Sequence, residues 1–179
     1  MPAAHHQEEI MSGRGVRWCM HTVSVRRTIG ASASDVWAVL DDFGGVAKYN
    51  PRVASSSIVD GPQTGTGATR ACSFTDGGRV EERIVEYDPG ERYVVEFVDL
   101  GDVPLKRNVV EVAVEPTAES EATVEMTTTF APKYGPLGWL LAKLVMASKF
   151  EETFEDVLRG LESYVVEAAE ETRADTAGD

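Results

Sequence analysis

The sequence predicts a single α+β domain in which a curved antiparallel sheet of seven strands covers a long C-terminal helix. Seven segments with strand-like patterns are separated by short turn signals, which suits antiparallel hairpins. Two short helical segments follow the first strand, and one long amphipathic pattern follows the last. With 179 residues, of which 42% are hydrophobic, the chain is long and apolar enough to bury one sizeable core.

The first strand, TVSVRRTI, alternates in polarity and ends at Gly30. Ser32 and Asp35 then match a capping box, because the Ser hydroxyl can accept a hydrogen bond from a free amide of the first helical turn and the carboxylate favours the positive helix end. We expect the short helix that follows to be broken by the Gly44-Gly45 pair. A second helical piece, VAKYN, is predicted to end before a proline, which disfavours the α region at the preceding residue.

Six further strand-like segments are divided by the turn signals GPQTGTG, TDGG, DPGE, GDVP and PTAES. They cover approximately 53–60, 66–75, 79–88, 92–99, 107–115 and 122–131. The stretch FAPKYGP ends the sheet, and apolar residues then recur at intervals of three and four from about 136 to 167. This period predicts one long helix that closes the domain.

The two ends of the chain lack these patterns. Residues 1–20 show neither strand nor helix periodicity, and residues 168–179 are acidic and nearly free of large apolar side chains. We therefore expect a disordered N-terminal leader (1–20), one folded domain (21–167) and a disordered acidic tail (168–179).

Charge and cysteine content exclude several classes of partner. The chain has 30 acidic and 17 basic residues, and a net charge of -13 repels phosphate backbones, so we expect no nucleic-acid partner. The longest apolar run, 137–147, is interrupted by Gly138 and Lys143 and is shorter than the ~20 residues that span a bilayer, so stable membrane insertion is not expected. Cys19 and Cys72 make no disulfide framework, which favours a reducing, cytoplasmic location.

Several kinds of chemistry are also excluded. All three histidines lie at or before the first strand, so we expect no histidine-based metal site and no serine-histidine hydrolysis. GTGATR leads into a strand rather than a helix, which is not the setting of a nucleotide or phosphate loop. Glu81 and Glu82 are adjacent on a strand and face opposite ways, so they cannot act as an acid/base couple. Cys72 fits packing better than nucleophilic catalysis. We expect neither a metal nor another cofactor.

Glu82 is the unusual residue of the central strands. A hairpin turn at TDGG places it on the same strand face as Val80 and Ile84, which are core residues. An inward carboxylate is tolerable if it meets cavity water, a basic partner or a polar group of a ligand. Arg70 shares a face with Phe74 on the preceding strand, so two alternatives stay open for it. It either reaches the interior, where it can pair with Glu82, or extends to solvent at the end of the sheet.

Four segments together resemble a known family: ASASDVWAVLDDFGGVAKYNPRV, GTGATR, GGRVEERIVEYDPGERY and FAPKYGP. They are similar to the polyketide cyclase/dehydrase and lipid-transport-like branch of the START-related (SRPBCC) superfamily, which includes the major pollen allergens and the plant abscisic-acid receptors. The resemblance covers about residues 22–166. It implies a helix-grip fold, in which the sheet wraps around the long helix and a small hydrophobic ligand binds between them.

The resemblance also implies roles for particular residues. The family's glutamate-arginine-aliphatic signature falls on Glu82-Arg83-Ile84, and its glutamate commonly faces the cavity. In family cyclases an inward arginine polarises or anchors a poly-β-ketone, a role that would fall on Arg70. Asn50 stands where the hormone receptors carry a ligand-binding lysine, so anion anchoring of that kind is not expected.

Alternation on the last strand and the start of the long helix supply further candidates. Met126, Thr128 and Phe130 point to the helix. Trp139, Lys143 and Met146 could line the cavity entrance. The candidate ligand-binding residues are Glu82, Arg70, Phe74, Tyr49, Asn50, Ile84, Met126, Thr128, Phe130, Trp139, Lys143 and Met146.

Three hypotheses of function follow from this set. The first is binding of a lipid, an isoprenoid or a polyketide-like molecule. The second is a polyketide aromatase/cyclase or dehydratase that acts in the same cavity and uses no metal or nucleotide. The third is a partner-binding module that uses Trp139. The sequence assigns no catalytic residues and leaves the ligand and the oligomeric state open.

Overall fold

The computed structural model of the chain describes residues 20–133 and 145–176, with side chains described as far as residue 171. In chain order the elements are β1 (His21–Ile29), α1 (Ala33–Asp41), the 3-10 helix η1 (Phe43–Lys48), β2 (Val53–Asp60), β3 (Thr69–Phe74), β4 (Arg79–Asp88), β5 (Arg92–Asp99), β6 (Leu105–Ala118), β7 (Glu121–Pro132) and α2 (Ala147–Thr176). The predicted leader, apart from Met20, lies outside the described residues, as do Trp139 and Lys143.

The seven strands form one antiparallel sheet in the order β1-β7-β6-β5-β4-β3-β2. Short turns join β2 through β7 in sequence, whereas β1 pairs with β7 at the far end of the chain. The open sheet curves around α2, and the two short helices follow β1. The predicted α+β class and helix-grip arrangement are confirmed.

The entry into α1 follows the capping box. The Ser32 hydroxyl accepts a hydrogen bond from the Asp35 amide at 3.2 Å and donates one to the Asp35 carboxylate at 2.6 Å. The predicted break at Gly44-Gly45 is wrong by two residues, because the chain leaves α1 at Asp42. The glycines instead lie within η1, whose first turn closes when the Gly45 amide donates to the Asp42 carbonyl at 2.8 Å.

The C-terminal helix is longer at its end than its apolar pattern predicts. It continues past residue 167 to Thr176. The segment EAAEETRADT carries few large apolar side chains but is rich in Ala and Glu, which have high helix propensity. Apolar periodicity predicts where a helix packs, and helix propensity favours its continuation beyond that pattern. The predicted start near residue 136 and residues 177–179 lie outside the described part.

The main core lies between the inward face of the sheet and α2, and α1 and η1 complete it. A smaller cluster of Val23, Leu105 and Phe130 packs against Met146 and Phe150 where α2 begins. No helix of residues 20–133 and 145–176 has both the length and the apolar character needed to cross a membrane.

Two local features bring chain segments into place around the interior. β4 has an irregularity between Ile84 and Glu86, which leaves both Val85 and Glu86 exposed and places Tyr87 opposite Tyr93 of β5. On α2, Gly160 lies so close to the turn after η1 that a Cβ there would overlap the carbonyl oxygen of Tyr49. A glycine at this helix position therefore lets the turn pack directly on α2.

Candidate functional site

A buried ion pair lies on the inward face of the sheet. Arg70 of β3 and Glu82 of β4 are directly opposite each other in the strand register. Arg70 Nε donates to Glu82 Oε2 at 2.6 Å, and Nη2 lies 2.5 Å from the same oxygen. Arg70 is 8% exposed and Glu82 is 7% exposed. The predicted inward position of Glu82 is confirmed, and so is its pairing with Arg70.

The guanidinium of Arg70 has further partners in η1. Its Nη1 donates to the Phe43 carbonyl oxygen at 2.9 Å, and its central carbon lies 4.1 Å from the centre of the Phe43 ring. The alternative that Arg70 extends to solvent is therefore wrong, because the arginine is enclosed by η1 above the sheet. Hydrogen bonding and cation-π attraction both hold the charge in place.

Two tyrosines face this pair. Burial raises the pKa of Tyr49 even though the nearby Arg70 charge opposes the shift. Burial also raises the pKa of Tyr93 well above its ordinary value, and Tyr49 adds to the shift. Both phenols therefore stay protonated at neutral pH and can donate hydrogen bonds.

Arg70 and Cys72 complete the electrostatic picture. Burial lowers the pKa of Arg70, but the attraction of Glu82 and smaller contributions outweigh burial, and the net shift is upward. Burial, followed by the charge of Glu82, raises the pKa of the Cys72 thiol. The thiol is free and buried, and its Sγ contacts the Ser56 hydroxyl at 3.8 Å. Cys72 is thus a neutral packing residue, as its sequence context predicts.

The two carboxylate oxygens of Glu82 have unequal contacts. Oε2 accepts both contacts from Arg70, whereas Oε1 accepts no hydrogen bond from the described side chains, those of residues 20–133 and 145–171. A carboxylate oxygen with unused acceptor capacity can receive a hydroxyl or amine donor. The pair is therefore a polar group of the interior with one acceptor left over.

A second buried polar pair lies farther along the sheet. Thr128 of β7 donates to Asn108 Oδ1 of β6 at 2.6 Å, and both side chains are buried. The structure confirms that Thr128 is the inward polar residue of β7. It sits beside β6, apart from the Arg70–Glu82 pair in the strand order.

Sequence reasoning missed Tyr93 and Asn108, because both strands carry apolar residues on both faces. Asn108 had a usable signal, since it lies on the same strand face as the buried residues Val110, Val112 and Val114. Tyr93 also had a signal, since it shares its parity with Val95 and Phe97, which pack in the main core, whereas Arg92 and Glu96 have the opposite parity.

The remaining candidates fall into three places. Ile84, Phe74 and Met126 belong to the main core, with Ile84 fully buried and the other two half-buried. Phe130 and Met146 belong to the smaller cluster, where the Phe130 ring lies 4.7 Å from that of Phe150. Asn50 instead caps a turn by accepting from the Arg52 amide at 3.0 Å.

An open groove of about 360 Å³ lies outside the interior, between the turn after η1 and α2. Its lining includes Lys48, Asn50, Arg159 and Ser163. Lys48 pairs with Asp42, and Arg159 pairs with Asp156. The groove is a second place where a small molecule could bind, so an experiment must separate it from the interior.

Within the described ranges, no three His, Cys, Asp or Glu side chains are grouped to hold a metal ion.

Comparison with solved structures shows the same fold in distant proteins. The crystal structure of a protein from Thermus thermophilus has a TM-score of 0.68 and 25% sequence identity, covering 83% of this chain and 99% of the other. The protein XoxI from Bacillus cereus has a TM-score of 0.69 and 20% identity, covering 83% and 97%. Norcoclaurine synthase from Thalictrum flavum, in complex with dopamine and hydroxybenzaldehyde, has a TM-score of 0.66 and 19% identity, covering 90% and 98%.

Sequence comparison gives the family. A search of curated protein sequences finds no match. The family model described as polyketide cyclase / dehydrase and lipid transport matches residues 20–166, which span β1 to most of α2. The match covers the whole sheet, including β3 and β4, which carry Arg70 and Glu82. It also covers η1, which encloses Arg70. The chain therefore belongs to the polyketide cyclase/dehydrase and lipid transport family, within the START-related superfamily.

Proposed function

We propose that the protein binds one small, largely apolar molecule between the sheet and α2, against the Arg70–Glu82 pair. The buried pair is the observation that carries the proposal. Removing two charges from water costs several kcal/mol per ion, and apolar side chains of similar volume often stabilise a core at least as well. Charged groups kept at such a cost on an inward face are candidates for a functional site.

The polar groups around the Arg70–Glu82 pair can orient a ligand. Glu82 Oε1 has spare acceptor capacity, and the phenols of Tyr49 and Tyr93 are protonated donors. Apolar neighbours would supply most of the affinity, at about 25 cal/mol per Å² of apolar surface removed from water. The proposed apolar contacts are Phe74, Ile84, Met126, Phe130 and Met146. Thr128 is the proposed polar contact on β7, away from the Arg70–Glu82 pair. Trp139 and Lys143 remain predictions for the entrance of the ligand cavity.

Native mass spectrometry of protein purified gently from its own host tests the proposal. We expect one small molecule per chain that is released when the protein unfolds. Protein recovered empty, together with no binding of a neutral apolar dye, would overturn the proposal.

Two bulky variants separate the interior from the outer groove. Met126→Trp fills space on the inward face, whereas Ser163→Trp fills the groove on α2. We expect the first variant to lower dye affinity and the second to leave it unchanged, with thermal unfolding checked for both. The reverse pattern would place the ligand in the groove.

The second candidate function is catalysis in the same space. The observation that favours it is the grouping of Arg70 with two protonated phenols, because such donors can polarise a ketone oxygen. The candidate reaction is cyclisation or dehydration of a poly-β-ketone, with proton transfer by Glu82. Glu82→Gln should then abolish turnover while binding is retained, and unchanged turnover would exclude that role.

We also propose a cytoplasmic setting for the protein, since Cys72 is a free thiol.

A further inference from the structure

We propose that the Arg70–Glu82 end of the interior selects electrically neutral ligands that carry a hydroxyl, amine or carbonyl group, and rejects carboxylates and other anions. This inference rests on the proposed function and adds the chemical class of its ligand. It follows from how the charge and the hydrogen-bonding groups of the pair are already used.

The positive charge of Arg70 is matched by its neighbour. Both Nε and Nη2 contact Glu82 Oε2, and Nη1 contacts the Phe43 carbonyl oxygen. The side chains of both partners are only 10% exposed, so little water shares in the interaction. Glu82 occupies the Nε–Nη2 edge of the guanidinium and the Phe43 carbonyl takes one Nη1 N–H group, so the charge of Arg70 is already compensated before a carboxylate or phosphate arrives.

The groups around the pair add no compensating positive charge. Tyr49, Tyr93 and Cys72 are neutral at physiological pH, because burial raises the pKa of each. The described cations of the outer groove, Lys48 and Arg159, are paired with aspartates on the surface. Within the described residues, the polar end therefore has a net charge near zero.

An anion placed here would meet two unfavourable effects. It would lose its hydration without gaining a free cation, and it would lie near Glu82 Oε1, the oxygen that Arg70 does not cover. A neutral hydroxyl or amine avoids both effects, because it can donate to Oε1. A carbonyl can accept from the phenols of Tyr49 and Tyr93.

Two fluorescent dyes with one skeleton test the inference. Phenylnaphthylamine is neutral and has an N–H donor, and anilinonaphthalene sulfonate is the same skeleton with a sulfonate. We expect the wild-type protein to bind the neutral dye at least about tenfold more tightly. Glu82→Gln leaves Arg70 as an uncompensated cation, so the preference should shift toward the sulfonate by about tenfold or more.

A matched control removes the same charge from the outside of the sheet. Glu125 also pairs with an arginine, Arg26, but on the solvent face. Glu125→Gln changes the net charge of the protein as Glu82→Gln does, and we expect it to leave the dye preference unchanged. Equal shifts in both variants would mean that overall charge, and not the buried pair, sets the preference.

The outcomes separate this inference from the proposed function. Equal binding of both dyes by the wild-type protein, or an unchanged preference in Glu82→Gln, would overturn the inference and leave ligand binding intact. Binding of neither dye would count against ligand binding itself. If Glu82→Gln does not fold, Arg70→Gln provides the opposite test, because an unpaired Glu82 should weaken sulfonate binding by a further factor of about ten. Unchanged sulfonate binding in that variant would overturn the inference.

Discussion

Two Arg–Glu pairs of the sheet join residues directly opposite each other on neighbouring strands, and they lie on opposite faces. Arg70 and Glu82 connect β3 to β4 on the inward face, and Arg26 and Glu125 connect β1 to β7 on the outward face. The hydrogen bonds are similar in length, at 2.6 Å and 2.8 Å. The exposed fractions of the side chains differ greatly: 10% for both inner residues, against 65% for Arg26 and 28% for Glu125.

This comparison shows that the face, and not the pair itself, decides what an ion pair does. Water screens the outer pair and can solvate either partner alone, so the pair contributes little to stability. The inner pair has lost most of that solvation, and each charge depends on the other. Strand parity chooses the face, so a shift of one residue in the register of β3 or β4 would turn Arg70 or Glu82 to the outward face.

The largest effect is expected from breaking the inner pair. Arg70→Ala leaves Glu82 buried without its cation and also removes the contact with the Phe43 ring. We expect a loss of about 3–5 kcal/mol in the free energy of unfolding, measured by chemical denaturation. Arg26→Ala is the matched outer variant and should leave the unfolding midpoint almost unchanged. Similar losses for both variants would show that burial does not distinguish the pairs.

The inward position of Glu82 could be predicted from its sequence, because it shares its parity with Val80 and Ile84, and burial alternates along this part of β4. The full set of residues around the pair could not. Arg70 had two options by parity alone, and the choice depends on η1, whose Phe43 carbonyl and ring enclose the guanidinium. Such a contact between distant segments leaves no periodic pattern in the sequence.

The same limit applies to the helices. Apolar spacing predicts the packed part of α2 but not its extension to Thr176, through a segment with few apolar residues and high helix propensity. A glycine pair usually signals a break, yet Gly44 and Gly45 lie within η1. Local signals compete at such points, and tertiary packing decides between them.

Gly160 tests how the inner region is held together. A Cβ at this position would overlap the Tyr49 carbonyl oxygen, so Gly160→Ala must push α2 away from the turn that positions Tyr49. We expect a loss of about 1–3 kcal/mol in the free energy of unfolding and weaker dye binding. The matched variant Gly30→Ala, at the end of β1, has no atom within 4 Å of its Cβ and should have little effect on either. An unchanged Gly160→Ala protein would mean that the turn moves freely.

Alkaline titration tests the buried phenols. Since burial raises the pKa of Tyr93 well above its ordinary value, the folded protein keeps a proton that the unfolded chain releases above about pH 10. The stability linked to this tyrosine is therefore fully present below pH 10, and it is lost as the pH rises toward the folded pKa. The expected slope is up to about 1.4 kcal/mol per pH unit. Tyr93→Phe should reduce this slope between pH 10 and the folded pKa, measured by denaturation at several pH values. An equal slope in the variant would mean that the Tyr93 phenol is solvated.

The smallest effect belongs to the outer pair and defines the other end of the comparison. The hydrogen bond from Arg26, followed by that from Ser24, lowers the pKa of Glu125. The linked stability is present above the ordinary glutamate pKa and is lost as the pH falls through the folded value. Because the pair is exposed, this contribution should be too small to detect by denaturation, although the shift itself should be visible in an NMR titration of the carboxyl carbon. Arg26→Gln should raise the midpoint toward the ordinary value, and adding salt to the wild-type protein should raise it partly. A titration midpoint that stays the same after both changes would mean that Ser24 rather than Arg26 lowers the pKa of Glu125. The outer pair would then no longer be a valid counterpart of Arg70 and Glu82.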